Sequence, residues 1–176
     1  MKERGRGMAW RAAYLLGSAG VYLADQMTKA WAVARLREGD TVNVVGDTVR
    51  LSYAENPGIA FGQLQEGGQF GRWMLSGLAA LAVVGILLYF FRTKRSDDRV
   101  LGALALLLAG VAGNLTDRVR LGHVIDFIEV FIGSYQWPTF NVADAAICTG
   151  AGLLALDLFL EGRGEAHKRK AEGLKV

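Results

Sequence analysis

Four runs of mainly hydrophobic residues divide the chain. The clearest covers residues 73–91 and contains no charged side chain. An α-helix needs about 20 such residues to cross the hydrocarbon core of a bilayer. Similar runs, with approximate bounds, cover residues 9–27, 100–117 and 142–160. The pattern therefore predicts an α-helical membrane protein with four transmembrane helices.

The segment between the first two runs has a different pattern. Residues 41–45 and 48–53 alternate between apolar and polar side chains on either side of Gly46 and Asp47. Two strands separated by a two-residue loop that contains glycine are typical of a β-hairpin. We therefore expect a small β-element between helices 1 and 2, within residues 36–66.

The basic residues indicate the orientation of this arrangement. The chain carries a net charge of +3, but its Lys and Arg residues lie mainly at the ends of the hydrophobic runs and do not form a stripe that nucleic acid would require. With the N-terminus in the cytoplasm, 13 of the 20 Lys and Arg residues fall on the cytoplasmic side. Short cytoplasmic loops are enriched in these residues. We expect a single membrane domain, residues 1–176, with both termini cytoplasmic and the β-element extracytoplasmic.

Polar residues are concentrated between the third and fourth runs. With the orientation above, this segment, residues 114–144, lies near the outer leaflet, and so does Asp25 at the end of the first run. Ionisable groups beside hydrocarbon are costly, and a cluster of them therefore indicates a functional site. The polar residues of the segment are Asn114, Asp117, Arg118, His123, Asp126, Glu129, Asn141 and Asp144.

The residue types in this segment favour acid–base chemistry by carboxylates. The chain has two histidines and one cysteine, and none has the spacing of a metal site. Cys148 lies among apolar neighbours, so a packing role is favoured over a Cys148–His123 nucleophile. Two aspartates held close together share a proton, and such a pair can activate water while polarising an amide carbonyl. The candidates are Asp117, Asp126, Glu129 and Asp144, and spacing alone does not select the pair.

Several of these residues also have a structural interpretation. Asp117 could pair with its neighbour Arg118, and Glu129 could be an exposed edge residue. Asp144 follows Asn141 by three residues at a helix start, which is a capping arrangement.

Two further positions have such an interpretation. Asp25 and Lys29 have the i, i+4 spacing of a helix ion pair. Asp126 could lie in a solvated turn.

Five motifs together resemble bacterial lipoprotein signal peptidase, also called signal peptidase II. They are DQMTK at 25–29, NPGIAFG at 56–62, GNLTDR at 113–118, GHVIDF at 122–127 and FNVAD at 140–144. The resemblance implies an aspartic endopeptidase of the bacterial cytoplasmic (inner) membrane, with its active site toward the extracytoplasmic side. Such an enzyme removes the signal peptide from prolipoproteins, cutting on the N-terminal side of a diacylglyceryl-modified cysteine.

The resemblance also implies roles for individual residues. Asp126 and Asp144 would be the catalytic dyad, and residues 36–66 would form an extracytoplasmic β-cradle. No metal or cofactor is expected, and the implied partners are lipidated prolipoproteins, membrane lipid and the inhibitor globomycin. The residues implied to bind substrate or support the site are Asp25, Lys29, Asn56, Asn114, Asp117, Arg118, Asn141 and Ala143.

Two other classes of protein also place acids at membrane depth or expose a hairpin. A small proton- or ion-coupled transporter uses buried acids, but it is expected to show pseudo-symmetric halves, and the chain has no internal repeat. A membrane-anchored interaction module would use the hairpin as its binding surface, but this leaves the acids between the third and fourth runs unexplained.

Overall fold

The computed structural model describes residues 2–58 and 68–173, with side chains described for residues 10–58 and 69–163. The protein is mostly helical with one small antiparallel sheet, as the sequence predicts. Residues 59–67, which include most of the NPGIAFG motif and part of the expected β-cradle, lie outside the described residues. The elements are α1 (Lys2–Leu36), β1 (Val42–Val45), β2 (Val49–Asn56), α2 (Gly68–Arg92), α3 (Asp98–Leu121), β3 (Val124–Ile132), β4 (Tyr135–Gln136) and α4 (Val142–Gly173).

Three of the four helices are long and apolar enough to cross a membrane. They correspond to segments Gln69–Arg92, Asp98–Leu121 and Val142–Arg163. Helix α1 has sufficient length, at 35 residues, but its apolar stretch is interrupted by Asp25 and Lys29. Together these helices indicate a protein embedded in a membrane. That α1 is a fourth span remains a prediction.

Helix α3 lies at the centre of the bundle. Of its most apolar segment, 56% is buried inside the protein, against 11% for α2 and 17% for α4. Helices α1, α2 and α4 each pack on α3, whereas no Cα atom of α2 lies within 8 Å of a Cα atom of α4 in the described part of the chain. Glycines allow α3 and α4 to approach closely: a Cβ added at Gly150 would lie 2.7 Å from the carbonyl oxygen of Ala103.

The sheet contains the predicted hairpin and two strands, β3 and β4, that the sequence did not reveal. Its order is β1-β2-β3-β4, and Gly46, with a φ of 45°, makes the turn between β1 and β2. Strand β3 pairs antiparallel with β2, so Asp126 lies opposite Ala54 in a strand. The expectation that Asp126 lies in a solvated turn was wrong. The apolar pattern of residues 124–128 reflects burial against α1, where Phe127 packs on Ala32 and Leu36.

Helix α3 ends at a well-defined point next to this sheet. Gly122 adopts a left-handed conformation, with a φ of 89°, and its N–H donates to the carbonyl of Arg118 at 3.1 Å. The Arg72 guanidinium of α2 donates to the carbonyls of Arg118, at 2.9 Å, and of Val119. These bonds satisfy carbonyls that a helix end leaves unpaired, and they place a cation at the negative end of the helix dipole. The turn directs the chain into β3 and thereby positions Asp126.

Candidate active site

Asp126 and Asp144 come from different elements and both contact Asn141. The side-chain amide of Asn141 donates to Asp126 Oδ1 at 2.7 Å. The backbone N–H of Asn141 donates to Asp144 Oδ2 at 3.3 Å, and the N–H of Asp144 donates to Asn141 Oδ1 at 2.8 Å. The last two bonds form the expected capping arrangement at the start of α4. The structure thus brings the two aspartates to one asparagine, with Asp126 on β3 and Asp144 in the first turn of α4.

Asp126 is buried and held by a second amide. The Asn56 side chain, at the end of β2, donates to Asp126 Oδ2 at 2.9 Å. Asn56 is itself fixed because its Oδ1 accepts the backbone N–H of Gly58 at 2.8 Å, and Gly58 has the positive φ of 79° that this turn requires. Each carboxylate oxygen of Asp126 therefore accepts one hydrogen bond from an amide.

The environment of Asp126 favours its protonated form. Burial raises the pKa of Asp126 from 3.8 to about 6. The negative charge of Asp144 acts in the same direction, while the hydrogen bonds from Asn56 and Asn141 and the charge of Lys29 partly oppose the rise. A carboxyl that keeps its proton near neutral pH beside a second carboxylate can act as a general acid.

Asp144 is linked to a buried lysine through Asn114. The side-chain amide of Asn114 donates to Asp144 Oδ1 at 2.7 Å. Its carbonyl oxygen accepts a hydrogen bond from the Lys29 ammonium at 2.9 Å. The positive charge of Lys29 polarises the Asn114 amide, which strengthens its donation to Asp144. Lys29 and Asp144 are thus connected through one amide.

Lys29 also joins two further carboxylates. Its ammonium lies 2.9 Å from Asp25 Oδ2 and 2.8 Å from Asp117 Oδ2, and its side chain is 2% exposed. The predicted Asp25–Lys29 pair is confirmed. The expected Asp117–Arg118 pair was wrong: Asp117 lies on the buried side of α3 toward α1, where Lys29 reaches it. We call Asp25, Gln26, Lys29 and Asp117 the lysine cluster.

The lysine cluster holds α4 in place and includes a residue that sequence reasoning missed. Asp25 Oδ1 accepts the backbone N–H of Ala143, in the first turn of α4, at 2.8 Å, and Ala143 is fully buried. The missed residue is Gln26, whose amide donates to Asp25 Oδ2 and to Asp117 Oδ1, both at 3.1 Å. Its position beside Asp25 within an apolar helix was a signal that could have identified it.

Arg118 lies on the other side of the aspartates. It is half-buried, and its charge interacts with Asp144, Asp126 and Asp117. A Cβ added at Gly58 would lie 3.2 Å from Arg118 Nη2. Its Nε is buried and has no hydrogen-bond partner within the described residues. Arg118 therefore has a donor to offer to a molecule beside the two aspartates.

Glu129, the remaining acidic candidate, does not join the aspartates. It is three residues from Asp126 along β3, so the two side chains point to opposite faces of the sheet. Glu129 is 8% exposed and accepts a hydrogen bond from Arg50 of β2 at 2.6 Å. The prediction that it is an exposed edge residue was wrong, because β2 covers that edge.

The other candidates also lie apart from the aspartates. His123 is 3.7 Å from Glu55, and Cys148 is exposed on α4. No cluster of three or more potential metal ligands from His, Cys, Asp and Glu occurs in the described part of the chain.

The chain is similar to known proteins over most of its length. The family described as Signal peptidase (SPase) II matches residues 18–160. The lipoprotein signal peptidase of Syntrophus aciditrophicus is 38% identical over 146 residues, which cover 82% of this chain and 91% of that protein. That of Geobacter sulfurreducens is 39% identical over 148 residues, which cover 84% of this chain and 91% of that protein.

Solved structures show the same fold. One described as a bacterial membrane enzyme superposes with a TM-score of 0.73 at 29% identity, covering 84% of this chain and 92% of its own. Another with the same description gives a TM-score of 0.73 at 27% identity, covering 86% and 90%. The chain therefore belongs to the signal peptidase II family, the peptidases that remove signal peptides from lipoprotein precursors.

Proposed function

We propose that the protein is an aspartic endopeptidase that uses Asp126 and Asp144 to cut prolipoproteins on the N-terminal side of their diacylglyceryl-modified cysteine. The observation that carries the proposal is the double contact of Asn141, which donates to a carboxylate oxygen of each aspartate. Family membership favours this function over a transporter or an interaction module.

The two aspartates have different environments, which suggests separate roles at the start of the reaction. Asp126, with its pKa raised to about 6, carries the proton and polarises the scissile carbonyl. Asp144, in the first turn of α4, accepts a hydrogen bond from Asn114 and acts as the general base that removes a proton from water. The resulting hydroxide attacks the carbonyl carbon, and Asp126 protonates the carbonyl oxygen.

Collapse of the tetrahedral intermediate reverses these roles. Asp144 now holds the proton taken from water and transfers it to the leaving amine as the C–N bond breaks. The intermediate hydroxyl returns its proton to Asp126, which restores the starting state. Because the pair passes a shared proton back and forth, the apparent pKa values belong to the dyad as a unit.

The other candidate residues would position the dyad or the substrate. Asn56 and Asn141 fix the two oxygens of Asp126, and Asn114 connects Asp144 to Lys29. Asp25 and Asp117, together with Ala143, anchor α4 and Lys29. The free donor of Arg118 is suited to a carbonyl oxygen of the bound peptide.

We further propose that all four helices cross the bacterial inner membrane with both termini in the cytoplasm. The site then lies at the extracytoplasmic boundary, where the C-terminal end of α3 meets the N-terminal end of α4 and the sheet. The charges of α1 are compatible with a span because Asp25 and Lys29 pair with each other inside the bundle. The backbones of α2 and α4 lie apart, and a substrate helix would enter from the bilayer between them.

A cleavage assay on a lipidated prolipoprotein in vesicles tests this function. Asp126→Asn and Asp144→Asn should each lower kcat by at least about 100-fold, since general acid–base groups contribute about 10²–10⁴-fold. Asp157→Asn is the matched control, because Asp157 lies on α4 at 3.6 Å from Arg99, away from the dyad. Cleavage by either dyad variant within about tenfold of wild type would remove that aspartate from the mechanism.

Two additional arms test the proposed partners. A precursor without the diacylglyceryl group should be cut poorly, because the cut site would no longer be held at the lipid boundary. Globomycin should inhibit the wild-type enzyme. Efficient cleavage of the unlipidated precursor would contradict the proposed substrate class, and lack of inhibition would contradict globomycin as a partner.

A further inference from the structure

A cavity lies beside the lysine cluster, against Gln26, Lys29 and Asp117. It has a volume of about 250 Å³ and lies between α1 and the C-terminal end of α3. This is roughly eight times the volume of about 30 Å³ that one water molecule takes in the liquid. Its apolar walls are Ala30 and Val33 of α1, Leu121 of α3 and Ile125 of β3, and Arg120 also lines it.

The polar groups on the inner wall of this cavity are already bonded to one another. They belong to Gln26, Lys29 and Asp117, and Lys29 pairs with Asp117 at 2.8 Å while Gln26 donates to Asp117 at 3.1 Å. Asn114 connects Lys29 to Asp144 of the dyad. The lysine cluster therefore connects the wall of this cavity to the active site. Arg120 is the polar lining residue for which the described side chains provide no bonding partner.

The guanidinium of Arg120 is available to an anion from outside the protein. Arg120 is exposed, and no carboxylate lies within ion-pair distance of it among the described side chains. An adjoining cavity that shares Val33 carries two basic and two acidic residues, so it adds no net charge. Those residues are Arg35, Arg37, Glu38 and Asp40.

The position of Arg120 along α3 places it at the level of lipid headgroups. It is in the last turn of a helix that is long and apolar enough to cross a membrane. This conclusion holds whichever side of the membrane that end faces. Trp31, on the same helix as Ala30 and Val33, is 40% exposed, and indoles prefer the membrane–water boundary.

We infer that this cavity binds one anionic phospholipid, with the lipid phosphate on Arg120 and part of an acyl chain between α1 and α3. The planar guanidinium presents donors that match phosphate oxygens. A zwitterionic lipid fits less well, because its ammonium group would need a carboxylate and Asp117 is already paired with Lys29. The acyl chain would pack over Ala30 and Val33 and shield the lysine cluster from water.

Native mass spectrometry of the full-length protein in detergent tests the inference with phosphatidylglycerol and phosphatidylcholine of identical acyl chains. Wild type should retain one phosphatidylglycerol in preference to phosphatidylcholine. Arg120→Gln should lower the apparent affinity for phosphatidylglycerol by about fivefold, the typical contribution of one basic side chain at an anionic surface. Arg37→Gln is the matched control, because Arg37 pairs with Glu55 at 4.0 Å and is not among the residues that line the cavity.

A second variant tests the acyl-chain half of the site without changing charge. Ala30→Phe should fill the space between α1 and α3 and lower retention of phosphatidylglycerol. Equal retention of the two lipids by wild type, or unchanged phosphatidylglycerol retention in both variants, would overturn the inference. The inference would also be overturned if inorganic phosphate alone raised the Tm of the protein as much as phosphatidylglycerol does. This result would indicate a site for an anion and not for a lipid. Because Asp126→Asn should retain the lipid, failure here is distinguishable from failure of the proposed peptidase mechanism.

Discussion

Replacement of Lys29 by methionine should strongly destabilise the protein. The Lys29 ammonium lies within 2.9 Å of Asp25 and 2.8 Å of Asp117, and it donates to Asn114. Asp25 is 0% and Asp117 is 3% exposed. Methionine fills a similar volume with no charge, so the variant leaves two carboxylates in a buried environment without their cation.

The magnitude follows from the burial of the two acids. Removal of one partner from a buried ion pair costs about 3–5 kcal/mol, because the remaining charge is desolvated and uncompensated. A chain of this size loses about 2–4 °C in Tm for each kcal/mol. We therefore expect Lys29→Met to lower the Tm by about 6–20 °C.

Thermal unfolding followed by circular dichroism, on protein in one detergent, measures this loss. Arg37→Met is the control: the Arg37 and Glu55 side chains are 63% and 45% exposed and 4.0 Å apart, and such pairs contribute about 0–1 kcal/mol. If Lys29→Met unfolds at the same temperature as Arg37→Met, the lysine cluster does not stabilise the fold as argued.

A triple variant separates loss of charge pairing from loss of packing. Lys29→Met combined with Asp25→Asn and Asp117→Asn removes all three charges, while the asparagine oxygen at position 25 can still accept the N–H of Ala143. Most of the lost stability should return, because no uncompensated buried charge remains. A triple variant no more stable than Lys29→Met would assign the effect to packing.

Two further predictions concern the active site and its support. Since the pKa of Asp126 is raised to about 6, Asp126 loses its proton as the pH rises through that value, and kcat/KM should decline there. Asn56→Ala removes a hydrogen bond that lowers the pKa of Asp126, so the decline of kcat/KM should move to higher pH. A shift of the decline to lower pH would contradict Asp126 as the proton carrier. Gly113→Ala would place a Cβ 2.6 Å from Asp25 Oδ2 and should cost about 1–3 kcal/mol in thermal unfolding. Gly102→Ala, whose added Cβ meets nothing within 4 Å, should not lower stability, because alanine is favoured over glycine inside a helix. Equal effects of the two glycine variants would refute the steric argument.

The sequence was most informative about elements that depend on local pattern. Hydrophobic runs located α2, α3 and α4, because burial in lipid requires continuous apolar stretches of a length set by the bilayer. Alternation around Gly46 predicted the first hairpin for a similar reason, since strand periodicity and turn chemistry are both local. The resemblance of five short motifs implied which two aspartates form the dyad, a choice that spacing alone left open.

The tertiary structure decided which distant residues meet. Strand β3 was missed because its apolar pattern arises from packing on α1 and pairing with β2, and neither is visible in a nine-residue window. Glu129 is paired with Arg50, 79 residues earlier, and Asp117 with Lys29 on another helix. Side chains of one type have many alternative partners in a sequence, and only the register of strands and the packing of helices select among them. For this protein, local hydropathy determined where the chain enters the membrane, whereas long-range packing determined which carboxylates share a site.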